Sequence, residues 1–308
     1  MSTSYHYGRR LHQHRRYIYP GLAIIVVLLV VGAGMFIKHE RHKPAPAVVA
    51  TKPHATTPKS TVVPTPAPAP KPAPTILFSD PLNGPDRIVT NEFTYYSPGG
   101  GCPYTSSTWA MTSGTLFVKN GAGYSGVPTV ENQAVCDSTT QTNSAVFRLN
   151  TKASSFTNVD VSMDYMAVRH IGAPGTSYDG IHMWVGYQSE YALYAASIFR
   201  WDGNLVIKKK VPVAQAQCSD PSNDGCYYDL TMETPHQSLT TVNIWRHADI
   251  IFQSATNGTV TITEKIDGQT ILQGVDKSIN GPAYTSGAVG VRGDNTEFYF
   301  KNFTVTKL

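Results

Sequence analysis

The sequence DGIHMWVGYQSEYALYAASIFRWDGNLVIKKKV, residues 179–211, decides the fold class because apolar and polar residues alternate along it. Alternation with a period of two is typical of β-strands that bury one face. Turn signals at 188–190 and 201–203 divide the stretch, and we expect Gly203 to adopt a left-handed conformation. The stretch therefore predicts three consecutive antiparallel strands.

One register of these strands gives the sheet a continuous apolar face. It sets Tyr187 opposite Tyr191 and Arg200 opposite Asn204. A shift by one residue would scatter the apolar set, which supports this pairing. The predicted core face consists of Ile181, Met183, Val185, Leu193, Ala195, Ser197, Phe199, Leu205, Ile207 and Val211.

The opposite face combines aromatic and basic side chains, with Trp184 beside Tyr194 and His182 beside Lys208. Aromatic rings suit the C–H faces of sugars, and lysine or arginine suits the carboxylate or phosphate groups of a polymer. The alternative is that Trp184 and Tyr194 support loops covering the sheet while the lysines form a solvated strand end. The predicted carbohydrate-binding residues are His182, Trp184, Tyr194, Arg200, Lys208 and Lys210.

Short alternations continue through the rest of residues 75–308, punctuated by Gly, Asn, Asp and Ser. No segment there offers a convincing amphipathic helix of three turns. Many short strands with regular turn signals predict an all-β sandwich or barrel. The further predicted strands are 114–119, 144–150, 159–168, 241–245, 248–254, 258–266, 287–292 and 297–308.

The last third of the chain adds a recognisable order of features. Trp245 leads a strand, NGTVTITEKIDGQTIL (257–272) follows as a hairpin, and GAVGVRGDNTEFYFKNFTVTKL (287–308) closes the chain. This pattern resembles the concanavalin A-like lectin and glucanase superfamily, especially its laminin-G-like and uncharacterised bacterial surface members. The resemblance covers 76–308 and implies a two-sheet antiparallel jelly roll, with LFSDPLNG (77–84) as an opening strand beside the closing one.

Such jelly rolls often form a glycan groove on the concave sheet, although fold alone does not establish activity. Glycanases of the superfamily usually carry Glu-x-Asp-x-Glu along one strand, which this chain lacks. Asp160 and Asp164 on one strand are the acids most similar to that pattern, but about 13 Å separates their backbones. Glycoside hydrolysis uses carboxyl groups ~5 to 9.5 Å apart. These acids are therefore interpreted as solvent-facing.

Alginate-lyase-like jelly rolls provide a second resemblance. FRLN with Arg148, GIH with His182 and YFK with Tyr299 resemble three strand motifs of that family, and the resemblance implies that together they would neutralise a uronate and abstract the adjacent proton. Gly180 stands where that family has glutamine, and the full Arg-x-Glu-x-Arg pattern is absent. Binding is therefore favoured over catalysis. The alternatives are a polysaccharide lyase or glycoside hydrolase, and a non-catalytic adhesive or structural module recognising protein.

Other chemistry finds little support in the sequence. No GxSxG nucleophile elbow occurs, so no serine triad is predicted. Related jelly rolls often hold a calcium ion with an acid on the closing strand, but Lys301 stands near that position and only Asp80 remains to contribute, so no cofactor or metal is predicted. The RGD sequence at 292–294 is interpreted as coincidental.

The net charge of +4 divides unevenly along the chain. Residues 1–74 carry ten Lys and Arg against one acid, giving +9, and residues 75–308 carry fifteen against twenty, giving −5. Nucleic-acid-binding proteins concentrate positive charge on the folded domain. Nucleic acid is therefore not a predicted partner.

The N-terminal quarter has the features of a membrane anchor. Residues 20–37 form eighteen residues without a charge, about 27 Å of helix, and more positive charge precedes them than follows. We predict a cytoplasmic tail (1–16), a transmembrane signal anchor (17–38), a proline-rich extended linker (39–74) and an extracellular domain (75–308). The alternative is a cleaved secretory signal.

Four cysteines fall on the exported side, without the CxxC spacing of a zinc site. Two disulfides are predicted, Cys218–Cys226 around the turn CSDPSNDGC and Cys102–Cys136 by elimination. The alternative, four free thiols, would require a reducing compartment.

Overall fold

The computed structural model describes residues 73–129, 134–137, 139–171, 178–212 and 225–308, and β-strands dominate them. The helical elements of these residues are the one-turn α1 (Phe93–Tyr96) and a 3₁₀ turn at Gln237–Leu239. The all-β class is confirmed. In chain order the strands are β1 (Ile76–Asp80), β2 (Arg87–Asn91), β3 (Trp109–Ser113), β4 (Thr115–Lys119), β5 (Ala122–Tyr124), β6 (Val127–Thr129), β7 (Thr142–Ser144), β8 (Val146–Thr151), β9 (Val159–His170), β10 (Gly180–Ser189), β11 (Ala192–Arg200), β12 (Asn204–Leu205), β13 (Ile207–Val211), β14 (Cys226–Asp229), β15 (Thr234–Pro235), β16 (Arg246–Ser254), β17 (Val260–Ile266), β18 (Gln269–Asp276), β19 (Ala288–Asp294) and β20 (Thr296–Lys307).

Two antiparallel sheets contain most of these strands. The nine-stranded sheet has the order β18-β17-β16-β9-β20-β5-β4-β2, with β1 also paired to β20, and the seven-stranded sheet has the order β14-β13-β11-β10-β19-β8-β3. One buried cluster joins Val161 and Phe300 of the larger sheet to Met183 and Val291 of the smaller sheet. The sheets therefore pack face to face, which confirms the predicted sandwich.

The two ends of the domain meet as the resemblance implied. β1 pairs with β20 and sets Phe78 opposite Val305. The predicted hairpin at 257–272 is confirmed as β17 and β18, which turn at Asp267 and Gly268, with φ of 51° and 78°. An Asp-Gly pair suits this turn because both positions need a left-handed conformation. The predicted strand at 241–245 is wrong, since these residues are irregular.

The predicted register of β11 against β10 is wrong by one residue. Trp184 lies opposite Ala195 rather than Tyr194, because both strands contain irregularities. In β11 the extra residue is Ile198, since Ile181 and His182 pair with its two neighbours, Phe199 and Ser197. In β10 the pairing shifts between Val185 and Ser189, where Gly186 has a φ of 58°.

The shift exchanges the inner and outer faces for most residues of β11, whereas the residues of β10 and β13 face the predicted sides. Tyr194, Ala196 and Ile198 belong to the core cluster between the sheets, whereas Leu193 and Ala195 belong to a separate cluster with Trp184. The predicted placement of Leu193, Ala195 and Ser197 in the core is therefore wrong. After the Ile198 bulge, the residues of β11 face the sides that were predicted, and Phe199 is in the core. The prediction that Gly203 is left-handed is also confirmed, with a φ of 72°.

The disulfide prediction is confirmed for Cys102–Cys136. Cys226 is disulfide-bonded as well, and its predicted partner Cys218 lies outside the described residues. The predicted cytoplasmic tail and transmembrane anchor, with nearly all of the linker, also lie outside them. In the part of the chain that the structure describes, no helix is long and apolar enough to cross a bilayer.

Candidate binding site

Side chains from three adjacent strands meet on the outer face of the seven-stranded sheet. Arg292 of β19 lies opposite His182 of β10, and His182 lies opposite Ser197 of β11. The bulge in β11 gives Ala195 and Ser197 positions on this face. Because these side chains are small, they leave a depression between the longer side chains around them.

A cavity of about 260 Å³ lies over this depression. Its volume is slightly below the ~300–1,000 Å³ of pockets for drug-sized molecules, so it suits one small ligand or one residue of a polymer. We call it the His182 pocket. Its lining residues are Tyr178, Asp179, His182, Ala195, Ser197, Arg200, Lys208, Tyr227, Arg292 and Asp294.

His182 lies between a hydroxyl group and a carboxylate. Its Nδ1 is 3.0 Å from Ser197 Oγ, and its Nε2 is 3.5 Å from Asp294 Oδ2. Burial lowers the pKa of His182, and this effect outweighs the opposing influence of Asp294. The ring is therefore neutral at pH 7, so one nitrogen accepts a hydrogen bond and the other donates one.

Asp294 is held in its ionised form by Arg292. Arg292 Nε and Nη2 donate to Asp294 Oδ1 at 2.9 and 2.7 Å, and Arg292 Nη1 donates to the Tyr227 hydroxyl at 2.6 Å. Burial raises the pKa of Asp294, but the charge of Arg292 and the hydrogen bonds from His182 and Arg292 outweigh it and bring the pKa well below its usual range. The charged residues of the RGD sequence thus bind each other inside the pocket.

The other two cations of the pocket differ in how firmly they are paired. Arg200 is 4% exposed and donates to Glu233 at 2.8 Å and to Asp202 at 2.6 Å, while its Nε has no hydrogen-bond partner among the described residues. Lys208 Nζ lies 3.3 Å from Asp229 and 3.6 Å from Glu233, and both of these carboxylates are exposed. Lys208 is therefore the cation freer to turn toward a ligand.

Trp184 and Lys210 lie on the predicted face but outside the His182 pocket. Trp184 is 1% exposed, stacks against Tyr187 with ring centroids 5.5 Å apart, and packs against Leu193. Lys210 Nζ donates to the Glu190 carbonyl at 2.8 Å. The interpretation of Trp184 as a supporting residue therefore describes its position better than the open groove does.

Tyr194 lies on the inner face, where its hydroxyl donates to Asp276 at 2.6 Å. The predicted placement of Tyr194 beside Trp184 on the outer surface is therefore wrong. Its aromatic ring packs instead near Phe252 and Tyr284, with centroid distances of 6.2 and 5.3 Å.

The three lyase candidates are not brought together. Arg148 lies beside Arg292 in the row that contains His182, but its Nη1 is bound to Glu190 at 2.9 Å. Tyr299 belongs to β20 of the other sheet and stacks on Tyr124, with ring centroids 4.5 Å apart. Tyr299 is therefore unavailable as a base for a substrate at His182.

The remaining acids named from the sequence are also separate from the pocket. Asp164 accepts a hydrogen bond from His247 at 2.8 Å on the nine-stranded sheet, and Asp80 accepts one from the Trp109 indole at 2.7 Å. Within residues 73–308, leaving out the gaps given above, no group of three or more His, Cys, Asp or Glu residues is arranged to hold a metal ion.

Sequence reasoning missed seven of the ten pocket residues, among them Asp179 immediately before β10. Arg292 and Asp294 had a usable signal, because alternation along β19 puts them on the face opposite Val289 and Val291. Ser197 and Ala195 were assigned to the wrong face. For Tyr178 and Tyr227 no pattern indicated that they approach the same pocket.

Neither the known protein families nor the curated protein sequences give a match to this chain. Similar solved structures include the carbohydrate-binding module CBM66 from Bacillus subtilis, 13% identical, covering 67% of this chain and 100% of that chain with a TM-score of 0.41. They also include an endo-1,3-β-glucanase from Streptomyces sioyaensis, which is 13% identical and covers 79% of this chain and 100% of its own, with a TM-score of 0.40. A third is β-agarase A from Zobellia galactanivorans, which is 10% identical and matches over 80% of this chain and 97% of its own, with a TM-score of 0.47.

These three structures are concanavalin A-like jelly rolls, the group that the sequence resembles. At these identities and scores the likeness concerns the fold alone. The function of the His182 pocket is therefore inferred from its own residues.

Proposed function

We propose that the His182 pocket binds carbohydrate, taking one sugar residue of an acidic or cell-wall polysaccharide. The observation that carries the proposal is the combination of exposed aromatic rings and fixed polar groups around one small cavity. Tyr178 and Tyr227 are 62% and 40% exposed at its edge. Sugar rings offer C–H patches to aromatic faces, while their hydroxyl groups both donate and accept hydrogen bonds.

The polar groups of the pocket match such a ligand because they include both donors and acceptors. Arg200 and Lys208 donate, whereas Asp179 accepts hydrogen bonds from His170 and Asn295 and retains further acceptor capacity. Lys208 favours an acidic sugar, since its carboxylate partners are exposed and at least 3.3 Å away. A ligand carboxylate can form a charge-assisted hydrogen bond in their place.

The proposed setting is the outer surface of a cell membrane. The disulfide between Cys102 and Cys136 supports an oxidising compartment. The uncharged run 20–37 within the segment 17–38 supports a single-pass anchor with the N-terminus in the cytoplasm, and the proline-rich segment 39–74 supports a linker. A domain carried in this way would meet extracellular or cell-wall glycans.

Replacing Lys208 with alanine is expected to weaken binding to a uronate-containing polysaccharide about tenfold, because one charge-assisted hydrogen bond contributes roughly 1.5 kcal/mol. Titration calorimetry of the full-length chain with acidic and neutral polysaccharides measures the change. Lys265→Ala, on the nine-stranded sheet, is the matched control and should bind as the parent does. The proposal is rejected if the parent protein binds none of the polysaccharides, and the role of Lys208 is rejected if both variants bind equally.

A further inference from the structure

We infer that Ser197, His182 and Asp294 form a nucleophilic triad, and that the His182 pocket hydrolyses a short-chain carboxylic ester carried on a sugar hydroxyl. The assignment of a sugar as the alcohol part of the ester rests on the proposed function. The acyl-transfer step rests on the geometry of the triad alone.

The geometry has the parts that such chemistry needs. A triad places a hydroxyl group at one nitrogen of an imidazole and a carboxylate at the other, and it is recognised by these roles rather than by sequence order. Ser197 Oγ lies 3.0 Å from His182 Nδ1, and Asp294 Oδ2 lies 3.5 Å from His182 Nε2. All three residues line the same cavity.

The absence of GxSxG predicts no triad, whereas the structure brings the side chains of Ser197, His182 and Asp294 together. A strand-to-helix elbow is one way to present a serine. In this chain the Ile198 bulge changes the phase of β11 and puts Ser197 directly opposite His182. Bulges re-aim side chains in this way next to active sites.

The protonation states also fit the roles. A neutral His182 can take the proton of Ser197, and burial keeps the pKa of His182 low enough for the ring to be neutral at pH 7. Asp294 is ionised and immobilised by two hydrogen bonds from Arg292. It can therefore orient the ring and stabilise the imidazolium that forms.

Lys208, one of the cations that line the cavity, can donate a hydrogen bond to the negative oxygen of a tetrahedral intermediate. Pre-positioned donors of this kind lower the barrier to acyl transfer. The cavity of about 260 Å³ has room for a short acyl group and one sugar ring.

The reaction consumes one water molecule and involves no oxidation. Ser197 Oγ attacks the ester carbonyl carbon while its proton passes to the ring of His182. Collapse of the intermediate breaks the bond to the alcohol oxygen, which receives that proton, and leaves an acyl group on Ser197. Water then attacks the acyl carbon, His182 takes its proton and returns it to Ser197 Oγ, and the carboxylic acid is released.

The first test is hydrolysis of 4-nitrophenyl acetate by the full-length chain. Ser197→Ala should reduce kcat/KM at least a hundredfold, whereas Ser254→Ala, on the nine-stranded sheet, should leave it unchanged. A fluorophosphonate probe followed by peptide mass spectrometry should label Ser197 in the parent and in Ser254→Ala. Circular dichroism confirms that the variants fold. The triad is rejected if the parent neither hydrolyses the ester nor is labelled at Ser197.

The second test addresses Asp294 as a positioning residue. The parent's kcat/KM should fall as the pH drops through the lowered pKa of His182, because the ring then becomes protonated. Asp294→Asn removes a carboxylate that raises that pKa, so it should lower the rate and also move the midpoint of the pH profile downward. A lower rate with an unmoved midpoint would mean a merely structural role for Asp294.

The two proposals fail separately. Polysaccharide binding without ester hydrolysis or labelling would reject the triad and leave the proposed function standing. Ester hydrolysis without polysaccharide binding would support the triad and reject the sugar as the carrier of the ester. Release of acetate from an O-acetylated polysaccharide by the parent, lost in Ser197→Ala, would support both.

Discussion

Replacing Lys209 with alanine is expected to lower the free energy of unfolding by about 3–5 kcal/mol, the usual cost of removing one partner of a buried ion pair. Lys209 Nζ lies 2.9 Å from Asp276 Oδ2, and both side chains are 0% exposed. Without the lysine, a carboxylate remains in the core without its countercharge. Lys209 Nζ also donates, at 2.8 to 3.0 Å, to the backbone carbonyls of Ile279, Gly281 and Pro282.

Urea unfolding of the full-length variants, followed by tryptophan fluorescence, measures this effect. Lys208→Ala is the matched control, because Lys208 is the preceding residue on the same strand and points to the outer face with partly exposed ion pairs. Such pairs contribute about 0–1 kcal/mol. Equal losses in the two variants would show that the Lys209 pair adds nothing beyond a surface interaction.

A double variant separates the charge pair from packing. Lys209→Met with Asp276→Asn removes both charges and keeps most of the side-chain volume. It should be more stable than Lys209→Met alone, because no uncompensated carboxylate remains. If the two substitutions have additive effects, then the ion pair is not the source of the stability.

The same network explains what Tyr194 does in this protein. Its hydroxyl donates to Asp276 and accepts a hydrogen bond from the backbone N–H of Tyr284 at 2.9 Å. Lys209 Nζ lies 5.1 Å from the centroid of the Tyr284 ring. Tyr194 therefore ties the segment between β18 and β19 to the inner face of the seven-stranded sheet, which is a core role.

The alternation of residues was sufficient to predict the fold class and the faces of β10 and β13. In β10, Ile181 and Met183 alternate with His182, so the core face is readable. β11 gave no such signal, because each of its nine residues is buried and its sequence is apolar or small at nearly every position. Strands covered on both faces lose the period-two pattern, and a bulge such as Ile198 then passes unnoticed.

The sequence could not predict the contact partners of individual side chains, for a different reason. Alternation alone puts Lys209 on the same face as Ile207 and Val211, but it does not reveal Asp276 on a distant strand. The pocket has the same property, since Ser197 and Asp294 come from strands far apart in the chain that pair on either side of β10. Such contacts depend on sheet order, which a local pattern does not contain.

Glu264 gives the second large effect on stability, with the opposite sign. Its side chain is fully buried on β17, and neither carboxyl oxygen has a hydrogen-bond partner among the described residues. Burial raises the pKa of Glu264 well above its ordinary value of 4.5. The native protein therefore holds a proton that the unfolded chain releases, so the contribution of Glu264 to stability is fully present below pH 4.5 and is lost as the pH rises toward its native pKa.

Glu264→Leu should raise the free energy of unfolding at pH 7 by about 1–3 kcal/mol, the cost of a buried polar group without partners. Urea unfolding of the parent and the variant at a series of pH values tests this. The difference between them should grow from pH 4 to pH 7, because only the parent must keep a carboxyl group protonated. Glu297→Leu is the contrasting control, since Glu297 accepts a hydrogen bond from Tyr124 at 2.6 Å and pairs with Arg169, so its loss should destabilise the protein. A Glu264→Leu protein that is less stable than the parent at pH 7 would mean that the carboxyl group has partners in solution.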